Sequence, residues 1–171
     1  IAADDQAPSD LGAAAARKAM EMAGVAAGDV DLVIVATGTG DMQFPATACI
    51  IPELLQLKNA AAFDISAGCT GFVYALSVGR QFIASGVYQT VLIIGTEVIS
   101  RIVDWDDSET CILFGDGAGA VVLQPTTPGY GLLAAKLGAD GSGSNHLLMP
   151  AGGTRLPNTP QTLAEKLNKL H

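Results

Sequence analysis

Stretches of strand character alternate with stretches of helical periodicity along this chain. That alternation predicts an α/β fold with a mostly parallel, mixed five-stranded sheet and helices on both faces. Two further observations agree. The runs at 31–37 (DLVIVAT) and 90–95 (TVLIIG) are continuously apolar, as strands covered on both faces are. Gly24 and Gly86 stand just past helical patterns, where helices commonly stop.

Taken in order, Ser9 is placed to cap an Ala-rich helix over 10–23, with Leu11, Ala14, Ala15, Lys18, Ala19 and Met22 on one face. Residues 31–37 form the first strand, and 38–45 a loop. Residues 47–57 read as a helix interrupted by Pro52. A second strand follows at 61–65, an apolar helix at 71–85 and a third strand at 90–95. The polar loop 104–107 holds the single Trp. Further strands are expected at 118–123 and 130–138. The Gly-, Ser- and Pro-rich stretch 140–160 reads as loop, and 161–170 as a last helix. Neither a repeat nor an internal linker appears, so residues 1–171 read as one domain. The chain opens at Ile1 without Met and ends at His171 inside a helical pattern, so it is expected to be truncated at both ends.

The 171 residues suffice for a real core. Apolar residues make up 49% and charged residues 15%, a balance that calls for part of the surface to be covered by a partner or by more chain. A formal charge of −8 argues against nucleic acid and against an anionic membrane surface as partners. No apolar stretch reaches the ~18 residues of a membrane span. Cys49, Cys69 and Cys111 are widely spaced and form no metal-binding cluster. So few cysteines fit a reducing cytoplasm.

Cys69 is the one candidate for covalent chemistry. It lies in FDISAGCTGF (63–72), where strand passes into helix through small residues. Strand C-terminal ends are where open α/β sheets bind ligands. A helix N-terminus carries roughly +0.5 of a charge and offers free N–H groups to an anion. Gly68 and Gly71 permit a tight turn. This pattern fits an activated nucleophile and a small core thiol equally well. Cys49 and Cys111 lack it and read as buried thiols. The GDGAG run at 115–119 precedes a strand rather than following one, so it is not a dinucleotide loop. Its glycines fit close packing and turns, and Asp116 a turn or cap. Asp64 is placed to brace backbone N–H groups near the Cys69 turn.

The segment FDISAGCTGF, with YALS (74–77), IIGTE (93–97), FGDGAGA (114–120), Phe44-Pro45 and ADGS (139–142), resembles β-ketoacyl-acyl carrier protein synthase III in the same order along nearly the whole chain. The resemblance implies the thiolase fold and a decarboxylative Claisen condensation that starts fatty acid synthesis. It implies that Cys69 takes an acyl group from acyl-CoA, its own backbone N–H serving as an oxyanion donor. It further implies that Arg101 contacts CoA, that Phe44 reaches across a homodimer to close the partner's acyl pocket, and that Phe114 lines an acyl pocket. Acyl-CoA and malonyl-acyl carrier protein are the implied substrates, the acyl carrier protein the implied partner, and no cofactor or metal is implied.

The likeness is incomplete. The family's condensing site adds a His and an Asn from its second half, and neither His146 nor His171 stands in that motif. His146, in a Gly/Ser-rich loop, reads as a surface residue. The chain therefore resembles the N-terminal thiolase-like lobe without its first strand, and should not condense alone. A polyketide starter synthase, an acyltransferase of the same fold, or a non-catalytic dimerisation lobe share these features.

Overall fold

A computed structural model describes residues 1–171. The chain forms two compact units: residues 1–98 with 116–136, and residues 99–115 with 137–171.

The first unit is a four-stranded sheet between helices. Helix α1 (Pro8–Ala23) is followed by β1 (Leu32–Ala36), α2 (Thr47–Leu55), β2 (Ala61–Ile65), α3 (Gly71–Ala84), β3 (Val91–Val98) and, within this unit, β4 (Asp116–Leu123). The strands lie in the order β2-β1-β3-β4. The first three are parallel and β4 runs antiparallel to β3. β1 is buried throughout, as its unbroken apolar run requires. Val33, Val35, Leu92 and Ile94 face a core shared with α1 and α2. Leu32, Ile34, Val91 and Ile93 face the opposite one, shared with Ala75 of α3. At roughly 1.5–3 kcal/mol per buried aliphatic side chain, these two layers are the main stabilising term of the unit.

The sheet has four strands where the sequence pattern predicts five. Residues 130–138 form no strand. Gly129 and Gly131 take φ of 92° and 87°, outside extended geometry, and Arg80 Nε draws the Leu132 carbonyl toward α3 at 2.8 Å. Ser9 is not the cap of α1. The helix starts two residues earlier than expected, at Pro8 after Ala7, Asp10 accepts the Ala7 N–H at 2.8 Å, and Ser9 bonds Asp41. Helix α2 runs through Pro52 and ends before 57, because Gln56 takes a left-handed φ of 58°. Gly117 and Gly119 lie inside edge strand β4 rather than in a turn, and a Cβ there would meet no other atom of this chain within 4 Å, so no close packing within the chain requires them. Asp116 accepts the Ala2 N–H at 2.7 Å.

The second unit is mostly turns and short helices. It holds α4 (Ser108–Cys111) and α5 (Pro160–Ala164). Thr159 caps α5 through the Thr162 N–H at 3.1 Å. The helix stops far short of 170, because Lys166 takes φ 56°. Lys166 Nζ instead pairs with Asp104 and Asp106 at 2.9 and 2.7 Å. Leu148 and His171 exchange backbone hydrogen bonds, and the Leu170 N–H donates to Ile102 O at 2.9 Å.

Candidate active site

The parallel strands β1, β2 and β3 all point their C-terminal ends toward one edge of the sheet, and Cys69 lies at that edge. After β2 the chain makes a single 3-10 turn, Gly68–Thr70, and passes directly into α3. Gly68 takes a left-handed φ of 52°, which a side chain would disfavour. The Thr70 hydroxyl donates to Ala67 O at 2.8 Å and closes the turn. A Cβ on Gly71 would stand 3.2 Å from Ala36 Cβ, so the first turn of α3 sits close on β1. Cys69 is exposed. Within this chain its thiol is not packed into either core cluster.

Cys49 is exposed as well and Cys111 half-buried, contrary to the expectation that both are buried. Cys49 lies in α2 on the side away from Ala48 and Ile51, which carry that helix's core contact.

Phe44 projects from the loop between β1 and α2, 89% exposed, with a cis bond to Pro45. Cys69 and Phe44 thus both belong to the first unit, on segments that follow neighbouring strands. Arg101 and Phe114 belong to the second unit. Arg101 is exposed and ends the 3-10 turn Ile99–Arg101, its carbonyl accepting Lys169 Nζ at 2.9 Å. Phe114 is half-buried, beside the exposed Ile112 and Leu113. His146 is exposed in its loop.

Asp64 does brace backbone N–H groups, but those of α2 rather than of the Cys69 turn. Its carboxylate accepts Thr47 N–H at 2.8 Å and Ala48 N–H at 2.7 Å. Glu97 and Asp41 escaped the sequence reading. Glu97 accepts from Gly38 N–H at 2.7 Å and from the Thr39 hydroxyl. Asp41 accepts Ser9 N–H and Oγ at 2.9 and 2.6 Å. A carboxylate ending a buried strand beside a Thr-Gly-Thr exit was the available signal for Glu97.

A sheet-end cysteine at the start of an apolar helix, in a mixed sheet layered by helices, is the arrangement of thiolase-like proteins. The 3-oxoacyl-(acyl-carrier-protein) synthase III family profile matches residues 63–141, which include Cys69. The chain is 50% identical over 170 residues to the β-ketoacyl-(acyl-carrier-protein) synthase III of Caldanaerobacter subterraneus, covering 99% of this chain and 51% of that protein. Its fold superposes on the 3-oxoacyl-(acyl-carrier-protein) synthase III of Aquifex aeolicus with a TM-score of 0.83 at 39% identity, over 96% of this chain and 53% of the other. It superposes equally on the priming β-ketosynthase of the R1128 polyketide pathway, TM-score 0.85 at 35% identity, over 100% and 50%. The chain is thus similar to β-ketoacyl-acyl carrier protein synthase III proteins along nearly its whole length, and it spans about half the length of the curated relatives it matches.

Proposed function

We propose that the full-length protein is a β-ketoacyl-acyl carrier protein synthase III and that this chain is its cysteine-bearing, N-terminal lobe, both compact units included. The observation that carries the reading is Cys69, exposed at a strand's C-terminal end and at the start of α3, inside the segment that the family profile matches. Cys69 Sγ attacks the thioester carbonyl of acyl-CoA. The Sγ–carbon bond forms, the carbon–sulfur bond to CoA breaks, and the thiol proton leaves with CoA. The Cys69 backbone N–H donates to the oxygen as it gains charge, an interaction that strengthens toward the transition state. Malonyl-acyl carrier protein then releases carbon dioxide. The resulting carbanion attacks the acyl carbon, and Sγ departs. The His and Asn that polarise this second step come from the remainder of the full-length protein.

Arg101 serves the CoA moiety, since a guanidinium both stacks on a base and pairs with phosphate. Phe44 closes the acyl pocket of a second copy in a homodimer, and Phe114 lines a pocket. The partner is acyl carrier protein, and the place of action is the cytoplasm. No helix here is long and apolar enough to cross a membrane. The likeness to a priming ketosynthase favours polyketide initiation as a second reading. Carbon dioxide release from malonyl-acyl carrier protein, measured with acetyl-CoA and with longer starters, tests both. Release that needs Cys69 and is fastest with acetyl-CoA supports fatty acid initiation. No release in any combination contradicts the condensing role.

A further inference from the structure

We propose that Glu97 and Thr39 are positioning residues: they fix the loop that carries Phe44 and, through it, set which acyl chains the site accepts. This rests on the reading that Phe44 closes an acyl pocket. β3 extends beyond β1, whose last residue, Ala36, pairs with Gly95. Glu97 therefore stands beside the segment by which the chain leaves β1. Its Oε1 accepts Gly38 N–H at 2.7 Å, and its Oε2 accepts the Thr39 hydroxyl and, at 3.5 Å, the Thr37 hydroxyl. The Thr39 oxygen in turn accepts Val98 N–H at 2.9 Å, and Thr37 Oγ1 accepts Thr39 N–H at 3.2 Å. Thr37 N–H reaches Ile65 O on β2 at 3.2 Å, so the exit of the central strand is tied to both neighbours.

The loop is held again at Asp41. That carboxylate takes both Ser9 donors of α1 and, at 3.3 Å, the Thr47 hydroxyl of α2, while its own N–H donates to Thr47 Oγ1 at 3.1 Å. Between that anchor and α2 stand Met42 and Phe44, exposed by 53% and 89%. Charge-assisted bonds of this kind are about twice as strong as neutral ones. Two carboxylates thus direct their acceptors to a short segment whose tip residues, Met42 and Phe44, stay largely exposed within this chain. Such rigidity is useful where the tip must arrive at a fixed place in a pocket.

In the full-length protein, Thr39→Val keeps the branched shape and deletes the hydroxyl. The expected result is a change of about tenfold in the ratio of kcat/KM for long over short acyl-CoA, well within what a ~1 Å misplacement can cost. The shift has the same sign as that of Phe44→Ala, and Thr39→Ser reverses it. Amide exchange at 40–44 speeds up in Thr39→Val and not in Thr39→Ser. Glu97→Gln keeps the shape and one acceptor oxygen and gives a smaller shift of the same sign. Folded Thr39→Val and Glu97→Gln proteins with unchanged chain preference, beside a Phe44→Ala protein whose preference has moved, overturn this inference alone. An unchanged preference in Phe44→Ala removes the pocket reading of Phe44, and this inference with it.

Discussion

Asp64 shows how one side chain links the sheet to the helix that follows its neighbour. It sits on β2 and satisfies two of the N–H groups that α2 leaves without intrahelical partners. Truncation to Ala strips that cap and leaves those donors unpaired. We expect Asp64→Ala to lower the unfolding free energy by about 1–3 kcal/mol, read from urea denaturation. A midpoint equal to wild type would contradict the cap. That Asp64 braces backbone was legible from the cost of burying a lone carboxylate. Which backbone was not, because Thr47 is distant in sequence and only the parallel register brings the start of α2 to it. Cys69 shows the complementary limit. Its neighbours in sequence fit a core thiol as well as a nucleophile, and within this chain it lies outside both core clusters, exposed as Cys49 is.

At the scale of the element, α3 packs on the sheet through Gly71, Ala75 and Gly79, one residue per turn of the same face. A Cβ on Gly79 would lie 2.8 Å from Ile93 Cδ1, 3.2 Å from Leu123 Cδ1 and 3.3 Å from Val91 Cγ1. Gly79→Ala gains about 1 kcal/mol of helix propensity but overpacks a filled layer at a cost of about 1–3 kcal/mol. Since Ile93 and Val91 are fully buried, the packing term wins, and a lower thermal midpoint is the expected outcome. A raised midpoint would show that the layer has slack. The parallel strands could be read from the sequence because their apolar runs are continuous, and the ends of α1 and α3 because Gly24 and Gly86 follow them, whereas α2 stops at Gln56 with no Gly to mark it. The missing fifth strand and the short α5 could not, since Gly129, Gly131 and Lys166 override propensity through left-handed backbone.

Across the whole molecule, the second unit relies less on apolar burial and more on charge. The Lys166 ammonium holds the Asp104 carboxyl below the usual carboxylate range, with the Asp106 N–H adding to it. The Thr110 hydroxyl and Glu109 N–H do the same for Asp107, and the Ser142 hydroxyl and N–H for Asp140. Asp106 and then Asp104 raise Lys166 above the ordinary lysine value. A depressed carboxylate stabilises the fold above its unfolded value and loses that contribution as pH falls through the folded one. A raised lysine stabilises below its unfolded value and loses the contribution as pH rises through the folded one. Amide protection in this unit should therefore decline as pH drops below about 4, and again above about 10.4. Because these groups are exposed, ~1 M salt should weaken the lysine pairs markedly. Protection that ignores both pH and salt would contradict this picture. The sequence showed acidic residues in this stretch but not their partner, because Lys166 meets them across 60 residues or more.

Whether Cys69 is the acyl acceptor is decided by incubating the full-length protein with labelled acetyl-CoA. Peptide mass spectrometry should place the acyl group on Cys69, with none on Cys49, which is also exposed, and none in Cys69→Ala. Label absent from Cys69, or retained in Cys69→Ala, would contradict the account.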